Sequence, residues 1–308
     1  MHRIFQISLP ADDAQRLCGE LQKLETVVGL SLSKNVSLKP PGDLVTVDVL
    51  NKGADDVLEL VRRAAEKHEV SVTTHEAASF IDPKQNRVVE NDFDEAIWEE
   101  METGLRHQGR ITPNFLLLML LGGIIASVGL VSEPAPQAIA FTASAIISPG
   151  FEPLAKVPLG IVLKRWHVVR LGLLSSVVGY LVLILAAGVT MFTLLTTNSV
   201  EIAEFAGNPE VKNISEPKLK EMIVSGAAAV AGMVMIAAYR RSVIAGPLVA
   251  LVIIPAAAMI GAGLAARRTD LLFEGAERLS LDVLFIILAG LMIFGYKQLL
   301  THRRKPLV

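Results

Sequence analysis

The strongest constraint on the fold is a series of long uncharged runs that fills the C-terminal two thirds of the chain. Residues 111–132 contain no charged side chain, and about 20 apolar residues can cross a bilayer as a helix. We predict six membrane segments, at residues 111–132, 134–151, 171–200, 222–239, 242–266 and 279–296. The last one is short and contains Asp282. The pattern predicts an α-helical polytopic membrane domain over residues 111–300.

Basic residues give this domain an orientation. They flank the predicted segments on one side, at Arg106, Arg110, Lys164, Arg165, Arg170, Arg240, Arg241, Lys297, Arg303, Arg304 and Lys305. The connection between segments three and four is instead rich in glutamate. Because cytoplasmic loops carry the excess of Lys and Arg, both termini are predicted to be cytoplasmic, including a basic tail at residues 301–308. This predicts a multi-pass protein of the cell inner (plasma) membrane.

One pair of arginines opposes this orientation. Arg267 and Arg268 fall on the predicted outer side. Acidic residues follow them at Asp270, Glu274 and Glu277, so we expect ion pairs there.

The stretch "SAIISPGFEPLAKVP", residues 144–158, places helix breakers and a carboxylate inside an apolar region. Proline removes a backbone donor and clashes with the preceding turn of a helix. Pro149, Gly150 and Pro153 therefore predict a half-helix from about 136 to 148, a break, and a second half-helix through about 164. Glu152 follows the break, and a carboxylate at membrane depth should face protein or water.

Segment five resembles this stretch, because Pro247 and Pro255 interrupt it. Two triplets of segments with broken middle helices would form an inverted repeat, which in transporters places the binding site near the midplane. The candidate substrate or ion site comprises Ser148, Pro149, Gly150, Glu152, Pro153 and Pro255. Further helix breaks are predicted at Pro158, Gly246 and Pro247. The alternative is that the prolines only kink packed helices and that Glu152 lies near the membrane interface.

Residues 1–80 alternate between strand and helix patterns in the order βαββαβ, which predicts an α+β ferredoxin-like domain. Apolar residues at helical spacing should face its core, at Ala14, Leu17, Leu21, Leu24, Val57, Leu60, Val61 and Ala64. The domain could serve packing and oligomerisation, or it could sense a ligand. His68 and His75 are interpreted as surface residues, and Cys18 as a helix packing residue. We expect no metal and no cofactor.

Residues 81–110 form a linker and an amphipathic helix. Phe93, Ile97, Met101 and Leu105 share one stripe of this helix, with Trp98 beside it. Such a stripe indicates a membrane-surface or inter-subunit helix. A plain connector is the alternative.

The membrane domain resembles the family known as domain of unknown function 389, hydrophobic bacterial and archaeal membrane proteins. The resemblance rests on "SAIISPGFEPL" at 144–154, on "AGPLVALVIIP" at 245–255, and on "IIASVGL" at 124–130. It implies the membrane architecture with a small N-terminal domain, and it leaves the activity open. The chain departs from the family pattern at Glu152, where members usually have glycine, and at Ala256, where a second proline is common.

Three classes of function compete. The broken segments favour a transporter or channel for a small solute or ion, in contact with the lipid bilayer and assembled as a homo-oligomer. The alternative is a membrane-anchored ligand sensor or scaffold. An enzyme is not expected, because the chain has no HExxH, GxSxG or Walker A sequence. Arg278 and Asp282, one helical turn apart, are predicted to pair. A formal net charge of −2 gives no indication of nucleic-acid binding.

Overall fold

The computed structural model describes residues 2–77, 89, 91–92, 95–239, 245–304 and 306–307. For Gln108, Tyr239, Ala245, Pro247 and Leu248 only the backbone is described. The chain divides into two compact units. The first, termed the sheet unit, comprises Met1–Glu99 and His302–Val308, and the second, termed the helical unit, comprises Glu100–Thr301.

The sheet unit follows the predicted order of elements, βαββαβ. Its elements are β1 Arg3–Leu9, α1 Ala11–Leu21, β2 Val27–Leu38, β3 Pro41–Val49, α2 Ala54–Ala65 and β4 Ser71–Glu76. The four strands form an antiparallel sheet in the order β2–β3–β1–β4. Strands β2 and β3 are consecutive in the chain, whereas the pairs β3–β1 and β1–β4 join strands that are not consecutive.

The core of the sheet unit arises from alternation in the central strands. Phe5 and Ile7 of β1 lie opposite Val47 and Val45 of β3, and all four are fully buried. Helices α1 and α2 cover this face with residues at helical spacing. The predicted inward residues Ala14, Leu17, Leu21, Val57 and Val61 are buried, and Leu24, Leu60 and Ala64 pack against the same core at partial burial.

His68, His75 and Cys18 lie where the sequence predicts them. His68 follows α2 and is about half exposed, with Nε2 3.3 Å from an Asp13 carboxylate oxygen. His75 lies exposed on β4. Cys18 packs at partial burial against the core.

The amphipathic segment forms helix α3, Trp98–Gln108. Four of its predicted stripe residues are buried within the chain, namely Ile97, Trp98, Met101 and Leu105. The prediction that this stripe faces a membrane surface or another subunit is therefore wrong for these residues. Phe93 lies outside the described residues.

The helical unit consists of the rest of α3 and nine further helices among the described residues. They are α4 Pro113–Gly129, α5 Pro134–Ile147, α6 Phe151–Val162, α7 Trp166–Thr196, α8 Ile202–Gly207, α9 Pro209–Ser215, α10 Leu219–Tyr239, α11 Ala245–Ala265 and α12 Thr269–Leu300. The short helices α8 and α9 lie in the glutamate-rich connection.

Helix α11 is the centre of the helical unit. It packs against α4, α5, α7, α10 and α12, and its residues Ala256 to Met259 are fully buried. A helix that is apolar on all sides and covered in this way belongs to a core. Its contact with α7 is a close backbone approach, because a Cβ at Gly188 would lie 3.1 Å from the Gly261 carbonyl oxygen. The small residues around Gly261 thus serve close helix packing.

The outer surface of the helical unit is strongly apolar. Helix α7 alone exposes Leu171, Leu173, Leu174, Val177, Leu181, Leu185, Val189 and Phe192. Among the described residues, three helices are long and apolar enough to cross a bilayer, and a fourth span results if the bent pair α5–α6 counts as one. Helix α4 and residues 249–265 of α11 are apolar but shorter. These features are those of a membrane protein; the count of six segments stays a prediction.

Two predicted helix breaks are absent. Helix α11 continues through Pro255, and α6 continues through Pro158. Proline is tolerated inside such helices because neighbouring helices and side chains can satisfy the freed backbone groups. Gly246 and Pro247 lie in the first turn of α11, directly after residues 240–244, which are outside the described part. Helix α11 has no break at Pro255 to match the one after Ile147, and the inverted repeat stays a prediction.

The last helix is longer than predicted. It begins at Thr269, about ten residues before the apolar run at 279. Its first three turns carry Asp270, Glu274 and Glu277, and Arg268 lies 2.5 Å from an Asp270 oxygen, which confirms an ion pair in this region.

Candidate functional site

The predicted break in segment two is present. Helix α5 ends at Ile147, α6 begins at Phe151, and their axes differ by 49°. Ser148 has an extended backbone, with φ −87° and ψ 114°. The prolines and glycine of this short stretch account for the break, since Pro149 cannot continue the α5 hydrogen-bond ladder.

Polar groups line the break. The Ser148 hydroxyl is buried against Gly122 of α4 and has no hydrogen-bond partner among the described residues. The Tyr180 hydroxyl, from α7, donates to the Gly150 carbonyl at 3.3 Å. A buried hydroxyl without a partner costs free energy, so Ser148 is a group that a ligand or water could satisfy.

Glu152 lies in the first turn of α6 and is 3% exposed. The positive end of the helix dipole favours a carboxylate at this place. The carboxylate faces α11, where a methyl group at Gly246 would lie 2.6 Å from Oε1 of Glu152. The absence of a side chain at Gly246 therefore makes room for Glu152, and the fold brings these two predicted residues together.

Lys156 is a charged residue of this site that the sequence interpretation missed. It lies one turn after Glu152 on the same helix and is 5% exposed, a spacing that places two side chains on one face. Its Nζ donates to the Gly109 carbonyl at 2.6 Å. A pair of opposite charges four residues apart within an apolar helix was the signal that could have revealed it.

The remaining predicted site residues fall in different places. Pro149 lies in the break itself, and Pro153 lies buried in the first turn of α6, where its missing N–H is not needed. Pro255 is separate from them, because it lines a cavity next to Arg278. Its near neighbour Ile254 does reach the break, with Cδ1 3.4 Å from the position of a Cβ at Gly150.

A second charged cluster lies in α10 and α12. Arg278 Nε donates to Asp282 Oδ2 at 3.0 Å, which confirms the predicted pair. Arg278 Nη2 donates to the Ser225 hydroxyl of α10 at 2.6 Å. These three residues are at most 6% exposed. No group of three or more His, Cys, Asp or Glu side chains in the described part of the chain is placed to hold a metal ion.

The fold and this geometry define a class, an α-helical membrane protein with a broken helix and buried charges beside the break. Residues 145–288 match the family model "Domain of unknown function (DUF389)". The matched region runs from the last turn of α5 into α12, and the match supports the family assignment that the motifs indicate. No curated protein matches the chain, and neither does any solved structure.

Proposed function

We propose that the helical unit transports or conducts a small solute or ion, and that the substrate passes the break between α5 and α6. One observation carries the proposal. Two opposite charges, Glu152 and Lys156, follow the break directly and are 3% and 5% exposed in an otherwise apolar helix pair.

A charged side chain at membrane depth costs about 2.5–3.5 kcal/mol on insertion scales, and such residues usually mark ion or substrate pathways. Discontinuous helices in transporters present free helix ends to a substrate near the midplane. Here the break combines a helix N-terminus, the Glu152 carboxylate and the Ser148 hydroxyl. The Ser148 hydroxyl has no hydrogen-bond partner among the described residues.

The test is flux in proteoliposomes that contain the purified full-length protein, scanned across pH with a panel of ions and small solutes. Glu152→Gln should change flux or its pH dependence while the detergent-solubilised protein keeps its thermal unfolding temperature. Glu133→Gln removes an exposed carboxylate at the start of α5 and should leave flux unchanged. Equal flux of wild type and Glu152→Gln at every pH would rule out this site as the pathway.

We further propose that the sheet unit is a ferredoxin-like module that regulates the helical unit or assembles subunits into a homo-oligomer. Its βαββαβ order and its β2–β3–β1–β4 sheet support this fold. The chain leaves the unit after Glu99 and returns to it at His302, so both ends of the helical unit are covalently tied to it. Light scattering of the purified protein would measure the number of subunits.

The second candidate function is a membrane-anchored sensor or scaffold, and this double connection is the observation that favours it. Deletion of residues 1–80 separates the two functions. A transporter should retain flux, with altered regulation, whereas a sensor should lose its response. In neither case do we propose a catalysed reaction.

The proposed location is the inner (plasma) membrane, with both termini cytoplasmic and the glutamate-rich connection outside. Reporter fusions at residue 308 and within residues 201–216 would test the orientation. Activity of a cytoplasm-specific reporter in the connection would contradict it.

A further inference from the structure

A cavity of about 250 Å³ lies between α9, α10, α11 and α12. It is distinct from the break, because none of its lining residues belongs to α5 or α6. Its wall is apolar on the α11 side, with Leu251, Val252 and Pro255. Its size suits a small ligand, since drug-sized ligands occupy cavities of about 300–1,000 Å³.

Arg278 gives this cavity a buried cationic pole. The side chain is 6% exposed and lines the cavity. Its Nε and Nη2 atoms donate to Asp282 and Ser225, but Nη1 is buried and has no hydrogen-bond partner in the described part of the protein. A guanidinium carries five N–H donors, and a buried charged donor without a partner is costly. The arrangement holds Arg278 in place and leaves donors for a ligand.

Glu221 gives the cavity an anionic pole. Its Oε2 atom is buried without a hydrogen-bond partner among the described residues, while Oε1 lies 3.4 Å from Lys220 Nζ. Glu210 also lines the cavity, with one carboxylate oxygen accepting from Asn213 at 3.1 Å. Acceptor oxygens are therefore available at the end of the cavity formed by α9 and the start of α10.

The charge count selects among ligand classes. Two acidic and two basic residues line the cavity, Glu210 and Glu221 against Lys220 and Arg278, and Arg278 already pairs with Asp282, which is not a lining residue. A simple anion would share an arginine that is already paired and would meet two glutamates. A simple cation would meet Arg278. A molecule with both charges can satisfy each pole without bringing like charges together.

We propose that this cavity binds a small zwitterion that carries a carboxylate and an ammonium, of the size of a small amino acid. The carboxylate accepts from Arg278 Nη1, and the ammonium donates to Glu221 Oε2. The apolar wall of α11 takes a short aliphatic substituent. The inference goes beyond the proposed transport pathway, since it concerns different residues.

The test is equilibrium binding to the full-length protein in detergent, without any flux measurement, so its failure is distinguishable from failure of the transport proposal. The probes are glycine, L-alanine and β-alanine as zwitterions, acetate as the carboxylate alone, and methylamine as the ammonium alone. At least one zwitterion should bind at least ten times more tightly than acetate or methylamine. Absence of saturable zwitterion binding up to about 10 mM overturns the proposal, as does equal binding of acetate.

One variant and a matched control test whether binding occurs in the cavity, and both keep the Arg278–Asp282 pair. Glu221→Gln should weaken zwitterion binding about tenfold or more, because it removes the negative charge that accepts from the ammonium, and it should not weaken acetate binding. Glu204→Gln, on the exposed face of α8, is the matched control and should bind as wild type does. Binding that is unchanged by Glu221→Gln overturns the proposed site.

Discussion

The imidazole Nδ1 of His302 lies 2.7 Å from an Asp55 carboxylate oxygen, although the two residues are 247 positions apart in the chain. The other ring nitrogen lies 3.2 Å from Glu95 Oε1. Trp98 meets the ring edge-on and donates its indole N–H to the His302 carbonyl at 3.2 Å. The C-terminal tail is thus held within the sheet unit by an imidazole between two carboxylates.

This arrangement predicts that tail docking depends on pH. Burial lowers the pKa of His302, but its hydrogen bonds to Asp55 and Glu95 outweigh burial and raise the pKa above the ordinary value. A raised histidine pKa stabilises the docked tail fully below about pH 6.5, and this contribution disappears as pH rises through the folded-state pKa. Hydrogen exchange of residues 302–307 in the full-length protein, expressed as protection factors, should show protection declining above about pH 6.5.

Acid should also weaken the contact between His302 and Asp55, through protonation of Asp55. Burial raises the pKa of Asp55, but the hydrogen bond to His302 and the charge of Arg304 lower it overall, so its contribution to stability is lost as pH falls below about 4.

His302→Gln should abolish the decline in protection above pH 6.5, whereas His68→Gln, a half-exposed histidine of the same unit, should preserve it. The same decline in His302→Gln and wild type would exclude His302 as its cause.

Arg304 makes contacts in the sheet unit that a lysine at the same position cannot replace. Its two terminal nitrogens donate to the two Glu99 oxygens at 2.7 Å each, and Nε donates to Asp55 at 2.6 Å. The side chain is 6% exposed, and lysine cannot reproduce this fork. Arg304→Lys should reduce tail protection by about 2–3 kcal/mol, near the lower limit for breaking a buried pair. Arg303→Lys, on the exposed neighbour, should change protection by less than about 0.5 kcal/mol.

The buried pair of α12 predicts strong non-additivity. Asp282→Leu leaves Arg278 buried without its counter-ion, and Arg278→Met does the same to Asp282, so each single change should cost about 3–5 kcal/mol of stability. The double variant Arg278→Met/Asp282→Leu replaces the pair with apolar side chains and should recover most of this loss. Thermal unfolding in detergent, monitored by size-exclusion chromatography, compares wild type, the two single variants and the double variant. Losses that simply add would show that the two side chains act independently.

The features that the sequence predicted are those set by local chemistry. Pro149 and Gly150 are adjacent and together disfavour a continuous helix, so the break at Ser148 was readable. Alternation in "HRIFQISL" and the spacing of Leu17 and Leu21 likewise encode which faces turn inward. The Arg278–Asp282 pair was readable because its members lie one helical turn apart.

The features that the sequence did not predict depend on tertiary contacts. Lys156 is held by a backbone carbonyl of Gly109, 47 residues away, and His302 is held by Asp55. Pro255 stays inside a continuous helix because α11 is surrounded by other helices, a context that no local pattern contains. For the same reason, the stripe of α3 suggested an external surface, whereas Met101 and Leu105 are buried in the chain.

The contact between Gly246 and Glu152 yields a prediction that links packing to the proposed pathway. A methyl group at Gly246 would lie 2.6 Å from Glu152 Oε1, closer than carbon and oxygen can approach without displacement. Gly246→Ala should therefore move the carboxylate and reduce flux through the proposed pathway about tenfold or more, since misplacement by about 1 Å can cost a hundredfold in a positioned site. The gain in helix propensity, about 1 kcal/mol for Gly to Ala, offsets part of any loss in stability, so the protein should remain folded.

Gly226→Ala is the matched control on the neighbouring helix α10, because a Cβ there meets no atom within 4 Å. It should keep wild-type flux and should be neutral or stabilising by about 0.4–1 kcal/mol. Flux and unfolding temperature measured on the same preparations distinguish the two effects. If Gly246→Ala transports as well as Gly226→Ala does, the position of the Glu152 carboxylate does not control permeation, and the pathway must lie elsewhere in the helical unit.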